Sequence, residues 1–143
     1  MFIGEYTHSL DVKGRVALPV KFRQKISDGA IITRGLDHSL FVFNKNDWEI
    51  LAQKILALPM TNANSRAFAR LMLSGAAEAE FDAQGRILIP EPLRQYAGLK
   101  KQAVFAGVYN RIEIWDAASW QSYKSKTEAS SDDIAEKLGE LGI

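Results

Sequence analysis

The feature that most restricts how this chain can fold is a nine-residue stretch that occurs twice. Asp11-Val12-Lys13-Gly14-Arg15-Val16-Ala17-Leu18-Pro19 returns as Asp82-Ala83-Gln84-Gly85-Arg86-Ile87-Leu88-Ile89-Pro90. Asp, Gly, Arg, an apolar triplet and Pro recur in register, and Arg23 is matched by Arg94 beyond them. Repetition sets the fold unit, so 143 residues make either one compact domain or two small halves that share a core. Each copy describes one object. The Asp can accept turn N–H bonds, and the Gly can adopt positive φ. The triplet predicts a short strand, and the Pro opens a helix where its missing N–H is not needed. Asp11 and Arg15 face each other across one turn, as do Asp82 and Arg86 across the other. Asp11, Gly14, Asp82 and Gly85 thus brace two turns, each presenting one oriented guanidinium.

The surroundings repeat as well. Phe2 to Leu10 alternates as a strand, and Glu78 to Phe81 leads into the second turn. A short helix follows each Pro, with Phe22 and Ile26, or Leu93 and Ala97, on its inner face, and Gly29 or Gly98 ends it. Two strands come next, Ala30 to Arg34 and Leu40 to Phe43 in the first copy, Ala103 to Ala106, followed by Gly107, and Ile112 to Trp115 in the second. Asn44 to Asp47 predicts the cap of a helix starting at Trp48, and Asp116 with Ser119 that of one starting at Trp120. The two tryptophans fit core wedges. The helix from Trp48 breaks near Pro59 and resumes from Ser65 to Leu73. Arg66 and Arg70 on it are expected in salt bridges while their helix packs between the repeats, phosphate contact being the competing reading. Lys124 to Asp133 reads as a polar stretch, after which Ser131 can cap a last amphipathic helix bearing Ile134, Leu138 and Leu141, or the end frays.

Net charge is +1, which alone argues against a nucleic-acid partner. Its distribution argues the other way. Lys13, Arg15, Lys21, Arg23, Lys25, Arg34, Lys45, Lys54, Arg66 and Arg70 outnumber the acids of the first seventy residues, whereas the second half is net acidic. Without cysteine there is no disulfide, thiol nucleophile or thiolate metal site, and a cytoplasmic protein is expected. No apolar run reaches membrane-spanning length, and the N-terminus lacks the basic and apolar regions of a signal peptide.

Structural ion pairing accounts for the two aspartates, but it does not require Lys13 and Lys21 beside Arg15. That excess of cations favours DNA contact by the first turn. In the second copy Gln84 replaces Lys13, Pro92 replaces Lys21, and Glu78, Glu80 and Glu91 lie near Arg86, which makes it the weaker reader. An acid–base pair of Asp11 and Asp82 is disfavoured, since an arginine four residues on favours the ionised form of each. His8, three residues before Asp11, is either a phosphate contact or an ordinary surface histidine. His8 and His38 lack a third ligand at metal spacing. Phosphate-cradling loops and nucleophile elbows are absent, so no catalytic residue, cofactor, metal or small-molecule substrate is expected.

The opening Met1-Phe2-x-Gly4, then Leu10-Asp11-x-Lys13-Gly14-Arg15-Val16-x-Leu18-Pro19-x-x-x-Arg23, then Asp82-x-x-Gly85-Arg86-Ile87-Leu88-Ile89-Pro90-x-x-Leu93-Arg94, resembles the MraZ family, a duplicated relative of the AbrB/SpoVT transition-state regulators. The resemblance spans nearly the whole chain. It implies an α+β fold of two tandem ββαββ repeats that form a swapped-hairpin, double-psi-like β-barrel, with connecting and C-terminal helices. The first repeat is expected over 5–47, a helical segment over 48–75, the second repeat over 76–119, and a C-terminal helix and polar tail over 120–143. It also implies ring-shaped, nucleoid-associated homo-oligomers that bind repeated boxes in promoter DNA and regulate the division and cell-wall gene cluster. Lys13, Arg15, Lys21, Arg86 and His8 are the residues expected at the double-stranded DNA. A partner-binding or assembly protein of the same fold, with the arginines in interface salt bridges, is the alternative.

Overall fold

A computed structural model describes residues 1–142. Both repeats have the expected order of elements. The first consists of β1 (Phe2–Ser9), β2 (Arg15–Ala17), α1 (Val20–Arg23), β3 (Ala30–Arg34) and β4 (Leu40–Asn44). The second consists of β5 (Ala77–Ala79), β6 (Arg86–Leu88), α4 (Glu91–Tyr96), β7 (Gln102–Tyr109) and β8 (Ile112–Asp116). Between them lie α2 (Lys45–Leu56) and α3 (Ala63–Ala69), which runs into a π-helical turn over Arg70–Ser74; α5 (Ala117–Ala129) and α6 (Ser131–Gly139) follow the second.

The repeats do not fold side by side. They exchange strands. One six-stranded sheet has the order β1-β7-β8-β4-β3-β5, so each repeat's first strand pairs with the other repeat's third. β1 lies antiparallel to β7 from Phe2 opposite Tyr109 to Ser9 opposite Gln102, and β5 lies antiparallel to β3. The two last strands, β4 and β8, meet in the middle. β2 and β6 leave this sheet and pair with each other as a two-stranded antiparallel ribbon, with one further bridge from Val16 to Leu10.

Strand alternation builds one core from both copies. Phe2, Val16, Leu18, Phe22, Ile26, Ile32 and Val42 of the first meet Ile87, Ile89, Leu93, Ala97, Phe105, Ile112 and Ile114 of the second. Phe22 is met edge-on by both Phe2 and Tyr6. Burying this much apolar surface across the repeat boundary makes the halves mutually dependent. A second cluster, Phe41, Phe43, Ile55 and Met72 with Trp48 and Phe68 against it, covers the outer face of β3–β4. The inter-repeat helices therefore pack on strands of the first repeat rather than between the repeats. Thr33 Oγ1 donates to the Met72 carbonyl at 2.6 Å, which fixes the π-helical turn to β3.

Several local expectations are corrected. The helices after β4 and β8 begin at Lys45 and Ala117, three residues before the tryptophans, because the last residue of each strand is itself the cap. Asn44 Oδ1 accepts the Asp47 N–H at 2.8 Å, and Asp116 Oδ2 accepts that of Ser119 at 3.2 Å. Pro19 and Pro90 occupy the cap position, with extended ψ, rather than the first helical turn. The polar stretch after Trp120 is helical, and α6 has Ser130 rather than Ser131 at its cap position. Arg66 and Arg70 form no salt bridge among the described residues; the Arg66 guanidinium instead donates to the Met60 carbonyl. Trp48 is half-buried against Phe43, and Trp120 packs edge-on against Trp115.

Candidate nucleic-acid interface

The two repeated turns flank the β2–β6 ribbon. In the first, the Asp11 carboxylate accepts the N–H of Arg15 at 2.8 Å and that of Lys13 at 3.0 Å, and Arg15 Nε donates to its second oxygen at 2.6 Å. The Gly14 N–H closes the turn onto the Asp11 carbonyl at 3.0 Å, with φ of +87° at Gly14. In the second, Asp82 holds the N–H groups of Gln84 and Arg86 at 2.9 Å and Arg86 Nε at 2.8 Å, and Gly85 has φ of +74°. The turns are near copies. In each, the arginine N–H is the largest influence holding the aspartate carboxyl below the usual carboxylate range; the guanidinium and the second turn N–H act in the same direction, against partial desolvation.

The strand exchange makes each turn depend on the other repeat. The Arg94 guanidinium lies over Gly14 and donates to the carbonyls of Lys13 and Ile89, while that of Arg23 lies over Gly85. A Cβ at either glycine would run into the arginine from the opposite copy. This explains why Arg23 and Arg94 repeat with the turns although they stand well apart from them in sequence.

Strand alternation decides what the ribbon shows. Val16 and Ile87 are buried, so Arg15, Ala17, Arg86 and Leu88 stand on the outward face. The register sets Arg15 opposite Leu88 and Ala17 opposite Arg86. Both guanidiniums thus share one small surface, and Asp11 Oδ2 lies 2.6 Å from Arg15 Nε and 3.7 Å from Arg86 Nη1. The sharing is one-sided. Arg86 is held by two carboxylates and Arg15 by one, and among the described residues neither terminal nitrogen of Arg15 has a protein partner.

The other candidates are placed as follows. Lys13 and Lys21 are exposed, Lys13 at the tip of the first turn and Lys21 on α1. His8 shares the inward face of β1 with Phe2 and Tyr6 and packs edge-on against Phe105, with ring centroids 5.8 Å apart. No group of three or more metal-ligating side chains occurs among the described residues. The sequence reading missed the placement of Arg23 and Arg94 over the other copy's turn and the outward position of Leu88. Their signals were the repeated arginine and the alternation of Arg86-Ile87-Leu88-Ile89.

Fold and site together define a duplicated, strand-exchanged protein that presents paired arginine turns on a two-stranded ribbon. The family model described as "MraZ protein" matches residues 1–71 and again residues 72–140. A protein of Alkaliphilus oremlandii named transcriptional regulator MraZ is 50% identical over 143 residues, the full length of both chains. Its namesake in Natranaerobius thermophilus is 49% identical over the same span, and that of Carboxydothermus hydrogenoformans is 49% identical over 96% of each chain. The chain belongs to the MraZ family, within the AbrB/SpoVT-type superfamily.

Proposed function

We propose that this chain is a sequence-specific, double-stranded DNA-binding transcriptional regulator of the division and cell-wall gene cluster, acting in the cytoplasm at the nucleoid and not as an enzyme. The observation that carries the reading is the outward face of the β2–β6 ribbon, where Arg15 and Arg86 stand side by side with their Nε atoms anchored. A two-stranded ribbon fits the major groove, and an arginine whose terminal nitrogens are free can bond guanine O6 and N7 together. Anchoring through Nε leaves that edge pointing outward at little entropic cost. Lys13 and Lys21, exposed beside the first turn, supply phosphate contacts, whereas His8, turned inward against Phe105, is not placed for one. The repeats over 5–47 and 76–119 form one swapped-hairpin barrel, and the helical segments over 48–75 and 120–143 meet neighbouring subunits.

Assembly into a closed ring is supported by the exposed apolar side chains of Ile50, Leu56, Leu58 and Met60 on the inter-repeat segment and of Ile134, Leu138 and Leu141 near the C-terminus. A ring also multiplies weak contacts, since each bound turn raises the local concentration of its neighbour's next box. The test is a gel shift of the purified protein on its own upstream DNA at two salt concentrations. Phosphate neutralisation releases counterions, so affinity falls steeply with salt. A protein that leaves its upstream DNA unshifted at low salt is the partner-binding alternative.

A further inference from the structure

The outward face of the ribbon carries one bulky apolar side chain, Leu88, 54% exposed between the buried Ile87 and Ile89. Its place is specific. The Ile89 N–H donates to the Gly14 carbonyl at 2.9 Å, and that of Leu18 to the Gly85 carbonyl at 3.3 Å. Arg15–Leu88 and Ala17–Arg86 fall between these hydrogen-bonded pairs, at the close positions of an antiparallel ladder. The Cβ atoms of such a pair stand about 5 Å apart, against a base step of about 3.4 Å. Whatever base Arg15 reaches, Leu88 meets the same base pair or the adjoining one. The only apolar group on the major-groove edges of the four bases is the thymine C5-methyl. The counterpart of Leu88 in the first copy is Ala17, a single methyl group opposite the more restrained Arg86.

We infer that Leu88 is a specificity-determining residue that packs on a thymine methyl beside the guanine read by Arg15. The inference rests on the ribbon being the DNA-binding face. Arg15 with Leu88 forms the reading half of the ribbon, and Arg86 with Ala17 the weaker half, which gives each subunit a direction along the duplex.

The experiment takes the upstream DNA bound by the full-length protein and replaces each thymine of one box, in turn, by uracil, which lacks only the methyl group. A parallel set replaces each guanine by 7-deazaguanine to locate the Arg15 contact. One thymine, at or next to that guanine, should lose about fourfold in affinity on losing its methyl, the effect of one buried methyl group. Leu88→Ala should bind thymine and uracil boxes equally. Leu88→Ser, which leaves no methyl group at that position, is the second variant, and circular dichroism of both guards against a folding defect. The inference is overturned if no thymine near that guanine is sensitive, or if both variants still prefer thymine. Binding insensitive to every 7-deazaguanine and to Arg15→Ala would instead refute the ribbon as the DNA-binding face, and failure of the unaltered protein to bind its upstream DNA would refute the DNA-binding reading itself.

Discussion

Gly14→Ala should destabilise the protein mainly through a residue eighty positions away. At φ of +87° an alanine is strained by about 1–2 kcal/mol, offset by about 0.4–1 kcal/mol from a less disordered unfolded chain. The new methyl would also displace the Arg94 guanidinium from over Gly14 and break its bonds to the Lys13 and Ile89 carbonyls. Two part-exposed bonds from a charged donor add about 1–3 kcal/mol, so the substitution should cost about 2–4 kcal/mol. Arg94→Ala alone forfeits the bonds and leaves the backbone term. In Arg94→Ala, adding Gly14→Ala should therefore cost only the backbone term, and the two changes should fall short of additivity by the worth of the two bonds, about 1–3 kcal/mol. Urea unfolding of the four proteins at one fixed protomer concentration measures the cycle. Additivity to within about 0.5 kcal/mol would refute the cross-repeat brace.

Arg15→Ala should lose specific DNA binding by roughly 5- to 150-fold per contact, while an exposed pair four residues apart moves the melting temperature by at most about 3 °C; Arg86→Ala should lose less, and an Arg15→Ala protein that binds normally defeats the assignment. The carboxyls of Asp11 and Asp82 are lowered in the folded state, so their stabilisation is full above the ordinary carboxylate range and is lost as pH falls through their lowered folded values. An Asp11→Asn, Asp82→Asn protein should accordingly show a shallower acid limb in urea midpoint against pH, and an unchanged limb would exclude this origin. Affinity should climb steeply as an operator carries one, two and then three boxes in direct repeat, and collapse when half a helical turn is inserted between them; footprinting that finds one isolated box equal to the array rules out multivalent binding. Light scattering at micromolar concentration should find a closed oligomer larger than a dimer, and a stable monomer would count against the ring.

The order of elements was readable because it is local. Gly14, Pro19, Phe22 and Ile26 each state a turn, a helix start or an inner face within a few residues, and the second copy repeats the statement. The helix starts were misplaced because Asn44 and Asp116 serve at once as strand ends and caps, which no spacing rule separates. The pairing of β1 with β7 and of β3 with β5 is not local, and hydrophobic alternation does not say which repeat supplies the partner. For the same reason Arg94 could be seen to repeat but not to brace the other copy's turn. The apolar run Ile87-Leu88-Ile89 concealed an outward residue until the ribbon's two faces were defined.

The exchange of strands also sets a timetable for synthesis. β1 finds its partner only when β7, ending at Tyr109, has left the ribosome, and the ribbon lacks its second strand until Leu88 has emerged. At about 5–20 residues per second the first strand waits roughly 5–20 s with its edge open. The nascent first half is an incomplete sheet displaying Phe2, Val16, Leu18 and Phe22 with nothing from the second copy to cover them. Another nascent chain at the same stage could lend the missing strand, since the two copies are near equivalents. Polysomes crowded with this message are therefore places where chains can become entangled in pairs before either is finished.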